Sequence, residues 1–268
     1  MRRIFVVAML LVAVFVFAQQ KDQQQPQSPK RKGNVPAQQD TTPVSTSRAR
    51  ISFDSESFNF GFAPQGNGYL VHSFMVKNLG EDTLIIERVR PTCGCTAAPL
   101  KKSNLAPGEI TEITSIFRLS GYKGATTKSI KVESNDPTHI AMSLTFNANM
   151  DSVAWLNAAE GPRIFSNPGI VDLGKGDLFQ RKSRTTIKSG SDKKLNLKIM
   201  EYTRDIIQEP TLKNTTIKPN ASIDVEFNVL DTFNKDDELK ASITIAGIDE
   251  TGSEVTRITV PIIGGGKQ

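Results

Sequence analysis

From about residue 50 onward, apolar side chains recur at every second position in short runs broken by Gly, Asn, Asp and Pro. Leu70, Phe74 and Val76 share one parity with His72 among them, and Leu84 and Ile86 resume after Asn78-Leu79-Gly80-Glu81-Asp82. Ile113, Phe117 and Leu119 follow Pro107-Gly108, Ile130 and Val132 precede Ser134-Asn135-Asp136-Pro137, and Ile140, Met142, Leu144 and Phe146 close the series. Successive side chains of a strand point to opposite faces, so this alternation predicts strands with one face turned inward. Helical periodicity is almost absent. Short strands separated by turn residues at fairly even spacing predict an all-β sandwich.

The series then appears a second time. Phe58-Asn59-Phe60-Gly61 recurs as Val171-Asp172-Leu173-Gly174, Leu84 and Ile86 as Leu197 and Ile199, and Ile130 and Val132 as Ile243 and Ile245, each at an offset of 113. Leu105-Ala106-Pro107-Gly108 recurs as Ile217-Lys218-Pro219-Asn220 at 112. A near-constant offset across strands and turns predicts two tandem sandwich domains of about 100 residues each. Their expected bounds are 49–150 and 161–266, joined by a linker at 151–160 whose Trp155 is expected to pack between the domains.

The chain opens with Arg2 and Arg3, an apolar run from Ile4 to Phe17, and Ala18 before Gln19. This is the pattern of a secretory signal peptide at 1–18, too short to span a bilayer, so an exported chain with no transmembrane span in its mature form is expected. Residues 19–48, rich in Gln, Pro, Ser, Lys and Thr, have almost nothing to bury and predict a disordered leader. The leader also explains the charge. Of the formal net charge of +5, residues 2 and 3 supply two and residues 19–50 supply four, which leaves the body at −1. A near-neutral body argues against nucleic acid as a partner. The Lys30-Arg31-Lys32 cluster reads as part of a solvated tether.

The only two cysteines, Cys93 and Cys95, flank Gly94 in Arg90-Pro91-Thr92-Cys93-Gly94-Cys95-Thr96. Adding 113 to their positions lands on Ile206 and Gln208, so the duplicated pattern does not need thiols to fold. In an extended strand their Cα atoms would lie about 6.6 Å apart, near the upper limit for a disulfide. A bridge therefore needs a kink, which Gly94 permits; it would be small, strained and easily reduced, and would stabilise little. As metal ligands the pair suits copper(I) alone, since zinc asks for four donors and His72 and His139 are distant in sequence. Two small, partly buried side chains at a strand end is the plainer reading.

The order Phe58-Asn59-Phe60-Gly61, then "VKNLGEDTLIIERVRPTCGCT", then "LAPGE", then "VESNDP" resembles a family of exported bacterial domains of unknown function marked by a CGCT motif. That family is similar to the wider immunoglobulin-like group of major sperm protein, Hydin-type and pilus chaperone amino-terminal domains. The resemblance covers residues 51–150 and implies an immunoglobulin-like sandwich of seven or eight strands and an envelope location, and it implies no reaction. Its marks fall on Gly61, Asn78, Cys93, Gly94, Cys95, Thr96, Pro107, Gly108, Asn135 and Asp136. Gly61, Pro107 and Gly108 are expected to set turns, and Asn78, Asn135 and Asp136 to cap them.

No catalytic residues are assigned. His72 lies in an alternating register, His139 lies in a turn, and neither stands in a G-x-S-x-G, H-E-x-x-H or P-loop context. Glu109, Glu112 and Lys235-Asp236-Asp237-Glu238 read as solvated loop charge. Asp40-Thr41-Thr42 in the leader resembles a bacterial O-glycosylation signal. The expected function is that of a non-catalytic envelope protein, periplasmic or at the surface of a Gram-negative bacterium, without cofactor. It would bind another envelope or secreted protein through sheet edges and loops. The alternatives are a periplasmic thiol-redox or copper(I)-handling protein using Cys93 and Cys95, and a carbohydrate-binding module. The last is disfavoured by a chain with three Tyr and one Trp.

Overall fold

The computed structural model describes residues 46–151 and 164–267, which belong to one compact unit. The signal segment, most of the leader, the linker and Trp155 lie outside the described residues. Before the gap come β1 (Ile51–Phe53), β2 (Ser57–Pro64), β3 (Tyr69–Asn78), β4 (Leu84–Pro91), β5 (Thr96–Ala97), β6 (Asn104–Leu105), β7 (Ile110–Arg118), β8 (Gly124–Ser134) and β9 (Ala141–Asp151). After it come β10 (Ile164–Asn167), β11 (Val171–Asp172), β12 (Lys182–Ser189), β13 (Leu195–Tyr202), β14 (Thr211–Leu212), β15 (Thr216–Ile217), β16 (Ser222–Asn228), β17 (Glu238–Ile248) and β18 (Glu254–Gly265). Among the described residues the only helical element is a 3-10 turn at Gly176–Leu178.

The fold is all-β, with its strands in three sheets. One four-stranded sheet runs β1-β3-β7-β5 and another β10-β12-β16-β14. A ten-stranded sheet runs β15-β13-β17-β18-β2-β9-β8-β4-β6, with β11 also paired to β18. In the first half Leu70, Phe74 and Val76 of β3 and Ile113 and Phe117 of β7 share a buried core with Ile130, Val132, Leu144 and Phe146 of β8 and β9. In the second, Ile187, Val225 and Phe227 share another with Ile243, Ile245, Ile258, Val260 and Ile262. Each such side chain contributes about 1.5–3 kcal/mol by leaving water. Alternation in sequence thus becomes two apolar faces in each half.

The halves are tied through β2. It runs parallel to β9 on one side and meets β18 on the other, at Ile258 opposite Phe62. The β2–β9 register shifts between Asn59 and Phe62. Phe60 therefore enters the first core while Phe62 packs on the second.

Equivalent hydrogen bonds relate the two halves and correct part of the sequence offset. Asn59 Oδ1 accepts from the Gly61 N–H at 2.8 Å and Asp172 Oδ1 from the Gly174 N–H at 2.9 Å, in keeping with 113. The Ile86 N–H, however, reaches Ser103 O as the Leu197 N–H reaches Thr215 O, so Leu84 and Ile86 correspond to Leu195 and Leu197, at 111. A slip of two residues returns every side chain to the same face, which is why alternation alone conceals it.

Sheet ends are short. β6 and β15 close the large sheet and β5 and β14 the smaller ones, each with two residues, while β1 and β10 have three and four. β4 shifts register after Ile86 and ends in Pro91, which has no N–H to offer. Such edges give an incoming strand little backbone to pair with.

Candidate functional site

Five of the residues singled out in the sequence, Asn78, Pro107, Gly108, Asn135 and Asp136, converge on one end of the first half. Asn78 is fully buried, and its Nδ2 donates to Asp82 O at 2.8 Å and Leu105 O at 3.0 Å. Its Oδ1 accepts from the Gly80 N–H at 2.9 Å and the Arg50 N–H at 3.4 Å, so the amide uses all its hydrogen-bonding capacity. The turn Ala106–Glu109 has Pro107 second and Gly108 third, with Gly108 at φ +79°. This is the residue order that a type II turn demands. The Gly108 N–H then donates to Asn78 O at 2.9 Å. Asn135 Oδ1 accepts from the Ile85 N–H at 2.8 Å and its Nδ2 donates to Thr83 O at 3.0 Å.

Asp136 is the anchor of this end. It has no solvent exposure, and its carboxylate accepts from the N–H groups of Ile51 (3.0 Å), Thr138 (2.8 Å) and His139 (3.3 Å) and from the Thr138 hydroxyl (2.7 Å). Burial works to raise its pKa, but the bonds from Thr138, Ile51 and His139 outweigh burial and hold it below the usual carboxylate value. The residues expected to cap their own turns thus also tie separate loops and the entering strand to one another.

At this end stand Leu79 (61% exposed) and Ile140 (66%) on loops and Ile85 (41%) and Ile110 (53%) at the starts of β4 and β7, four of the five large apolar side chains exposed among the described residues. Ile110 is paired with Lys77, next to the β3 end that carries Leu79. Ile85 and Ile140 both bond to the Ser134-Asn135 corner, Ile85 O accepting from the Asn135 N–H and Ile140 O from the Ser134 N–H. The sequence pattern had placed Ile140 in an inward series, but β9 begins at Ala141 and Ile140 belongs to the exposed loop before it.

At the other end of β4 the chain turns through Cys93, Gly94 and Cys95. The two sulfurs form a disulfide with Cα atoms 5.3 Å apart, shorter than an extended strand would place them. Both cysteines are partly buried, and Cys95 packs on the first core. Thr96 begins β5 rather than standing in the turn; it is buried, and its Oγ1 lies 3.6 Å from Cys93 Sγ and 3.7 Å from Cys95 Sγ. Gly94 does not take the left-handed conformation, and a Cβ there would meet nothing within 4 Å. The kink therefore does not require glycine. Gly94→Ala is expected to keep or raise stability by up to about 1 kcal/mol in thermal denaturation; a clear loss would show a backbone need that the geometry does not contain. In the second half Ile206 is partly buried and Gln208 exposed.

Gly61 also departs from expectation, since it lies inside β2, at φ +68°, and sets no turn. A Cβ there would lie 2.2 Å from Arg257 O, so the position is held by the approach of β18. Beside it the Thr259 hydroxyl donates to Phe60 O at 2.6 Å and Arg257 Nη1 to Asn59 O at 2.8 Å. His72 is buried at the same junction, stacked on Phe58 with ring centroids 3.8 Å apart, with Nδ1 3.2 Å from Glu201 Oε2. Glu112, expected as loop charge, lies in β7 and pairs with Lys101, which also reaches Asp205 of the second half at 2.7 Å. A cleft of about 510 Å³ between the halves includes Tyr69, Arg118, Lys175 and Glu238. There Glu238, at the start of β17, is engaged by the Tyr69 hydroxyl at 2.7 Å and by Lys240 at 2.8 Å.

Among the described residues no group of three or more His, Cys, Asp or Glu is arranged to hold a metal ion, and no helix is long and apolar enough to cross a membrane. Among solved structures, the chain is similar to a protein of unknown function from Porphyromonas gingivalis W83, at 17% identity over 80% of this chain and 99% of that one, with a TM-score of 0.30. It is also similar to the periplasmic chaperone SfaE (11% identity, 80% of this chain and 100% of that one, TM-score 0.30). A third likeness is to the ASH/PapD-like domain of human CEP192 (15%, 47% and 97%, TM-score 0.29). No curated protein matches. Residues 51–150, the segment with the quoted motifs, match the family described as "Protein of unknown function (DUF1573)", so it is in its first half that this chain carries the likeness to that family.

Proposed function

We propose that this is an exported, non-catalytic binding module that docks another envelope or secreted protein on the loop end of its first half. The observation that carries this reading is the set of Leu79, Ile85, Ile110 and Ile140, exposed on the loops and strand starts at the end anchored by the buried Asn78 and Asp136. Apolar side chains on pre-ordered loops gain by leaving water and lose little freedom when a partner covers them. The short, interrupted sheet edges favour loops over strand addition as the means of docking. Near-neutral charge in the body favours a protein partner over nucleic acid. A copper(I) role would need the cysteines reduced first, because joined sulfurs offer no thiolate.

Capture from envelope extract on immobilised protein tests the reading. Leu79→Asp combined with Ile140→Asp is expected to weaken retention of the partner about 100-fold, the effect of two interface anchors at about 1–2 kcal/mol each. Cys93→Ser with Cys95→Ser is expected to retain it. Equal capture by the aspartate variant, or loss in the serine variant, overturns the proposal.

A further inference from the structure

We propose that the Cys93–Cys95 disulfide is a thiol–disulfide exchange site that accepts two electrons from a dithiol, an activity separate from docking at the far end of β4. Four features converge on it. First, the bridge spans a sequence separation of 2, so it closes almost no loop in the unfolded chain and is not a staple for the fold. Second, the corresponding segment of the second half folds without it, with Ile207 buried where the chain returns to β16 through its pairing with Val229. Third, the turn is accessible, because Gly94 is exposed and the space where its Cβ would stand is open. Fourth, the buried Thr96 hydroxyl lies within 3.7 Å of both sulfurs, where it serves as donor to whichever one carries negative charge.

The ladder leading to the turn carries Arg88, Arg90 and Lys131 together with Glu87 and Glu133; Arg90 stands directly opposite Lys131, and Arg88 and Lys131 both pair with Glu133. Cys95 packs against the first core and Cys93 does not, so the attack is assigned to Cys93 Sγ.

The exchange is balanced as follows. A thiolate of the donor dithiol attacks Cys93 Sγ, the Cys93–Cys95 bond breaks, and its electron pair passes to Cys95 Sγ beside the Thr96 hydroxyl. The donor's second thiolate then attacks the donor sulfur of the mixed disulfide and releases Cys93. The donor leaves as a disulfide, and Cys93 and Cys95, having gained two electrons, take up two protons.

Glutathione redox buffers, thiol alkylation and intact-mass measurement on the folded protein test this. Both thiols are expected to appear and disappear reversibly with the β-sheet circular dichroism unchanged. The rate with reduced glutathione should exceed that of a free peptide of residues 90–96 by about tenfold, the effect of one hydrogen bond to a charged group. Thr96→Val should remove that advantage and Thr96→Ser restore it, while Cys95→Ser should accumulate a stable glutathione adduct on Cys93. A rate equal to the peptide's, or reduction that occurs only with unfolding, overturns the assignment. Since capture of the partner is expected to survive loss of both cysteines, failure of either proposal is distinguishable from failure of the other.

Discussion

Gly61→Ala is expected to destabilise the protein by about 3 kcal/mol, because the left-handed backbone disfavours any side chain and the new methyl must also push β18 away. The added Cβ would stand 2.2 Å from Arg257 O, with Arg257 C and Cβ close behind at 2.6 and 2.7 Å. To relieve it, β18 must give up the pairing of Ile258 with Phe62 and the bonds to Asn59 O and Phe60 O. Gly108→Ala is the control: Gly108 has φ +79° but nothing within 4 Å of its Cβ position, so only the backbone cost of about 1 kcal/mol remains. Urea denaturation of both variants separates the two contributions, and equal losses would remove the junction from the explanation.

Asp136→Ala is expected to cost a similar amount, about 3 kcal/mol, because it leaves the buried N–H of Ile51 and the N–H and hydroxyl of Thr138 without their acceptor, while the His139 N–H keeps the Asp136 carbonyl. Titration provides an independent check. A carboxyl whose pKa is lowered by folding contributes stability that is fully present above its unfolded value of about 3.9, and that is lost as the pH falls through the lower folded value. Native protein should therefore lose stability below about pH 4, and Asp136→Asn should flatten that part of the profile while being less stable at pH 7. An unchanged acid limb would assign the loss to other carboxylates.

Much of this architecture was legible because alternation is a direct consequence of strand geometry. Leu70, Phe74, Ile113, Ile130 and Leu144 are buried as their parity requires. What escaped was set by single-residue irregularities. Phe60 and Phe62 share a parity, yet the shift between Asn59 and Phe62 divides them between the two cores, and Gly61, the local mark of such a bulge, reads in the sequence as a turn residue. The thiols were visible as an addition to one half, whereas their pairing depends on the turn that follows Pro91.

The candidate docking end was half legible. Asn78, Asn135 and Asp136 announced themselves as turn residues, but their bonds to Leu105, Thr83 and Ile51 arise only when distant strands meet. Ile85 is exposed as its parity between the buried Leu84 and Ile86 requires, whereas Ile140 has the parity of an inward series and is left in water by its position just before β9.

Photocross-linking in envelope extract tests the docking claim most directly. A photoreactive side chain placed at Leu79 or Ile140 is compared with one placed at Leu178, which is 73% exposed in the other half. The account predicts one discrete adduct shared by positions 79 and 140 and absent at 178. An adduct at 178 alone, or none at 79 and 140, would contradict it.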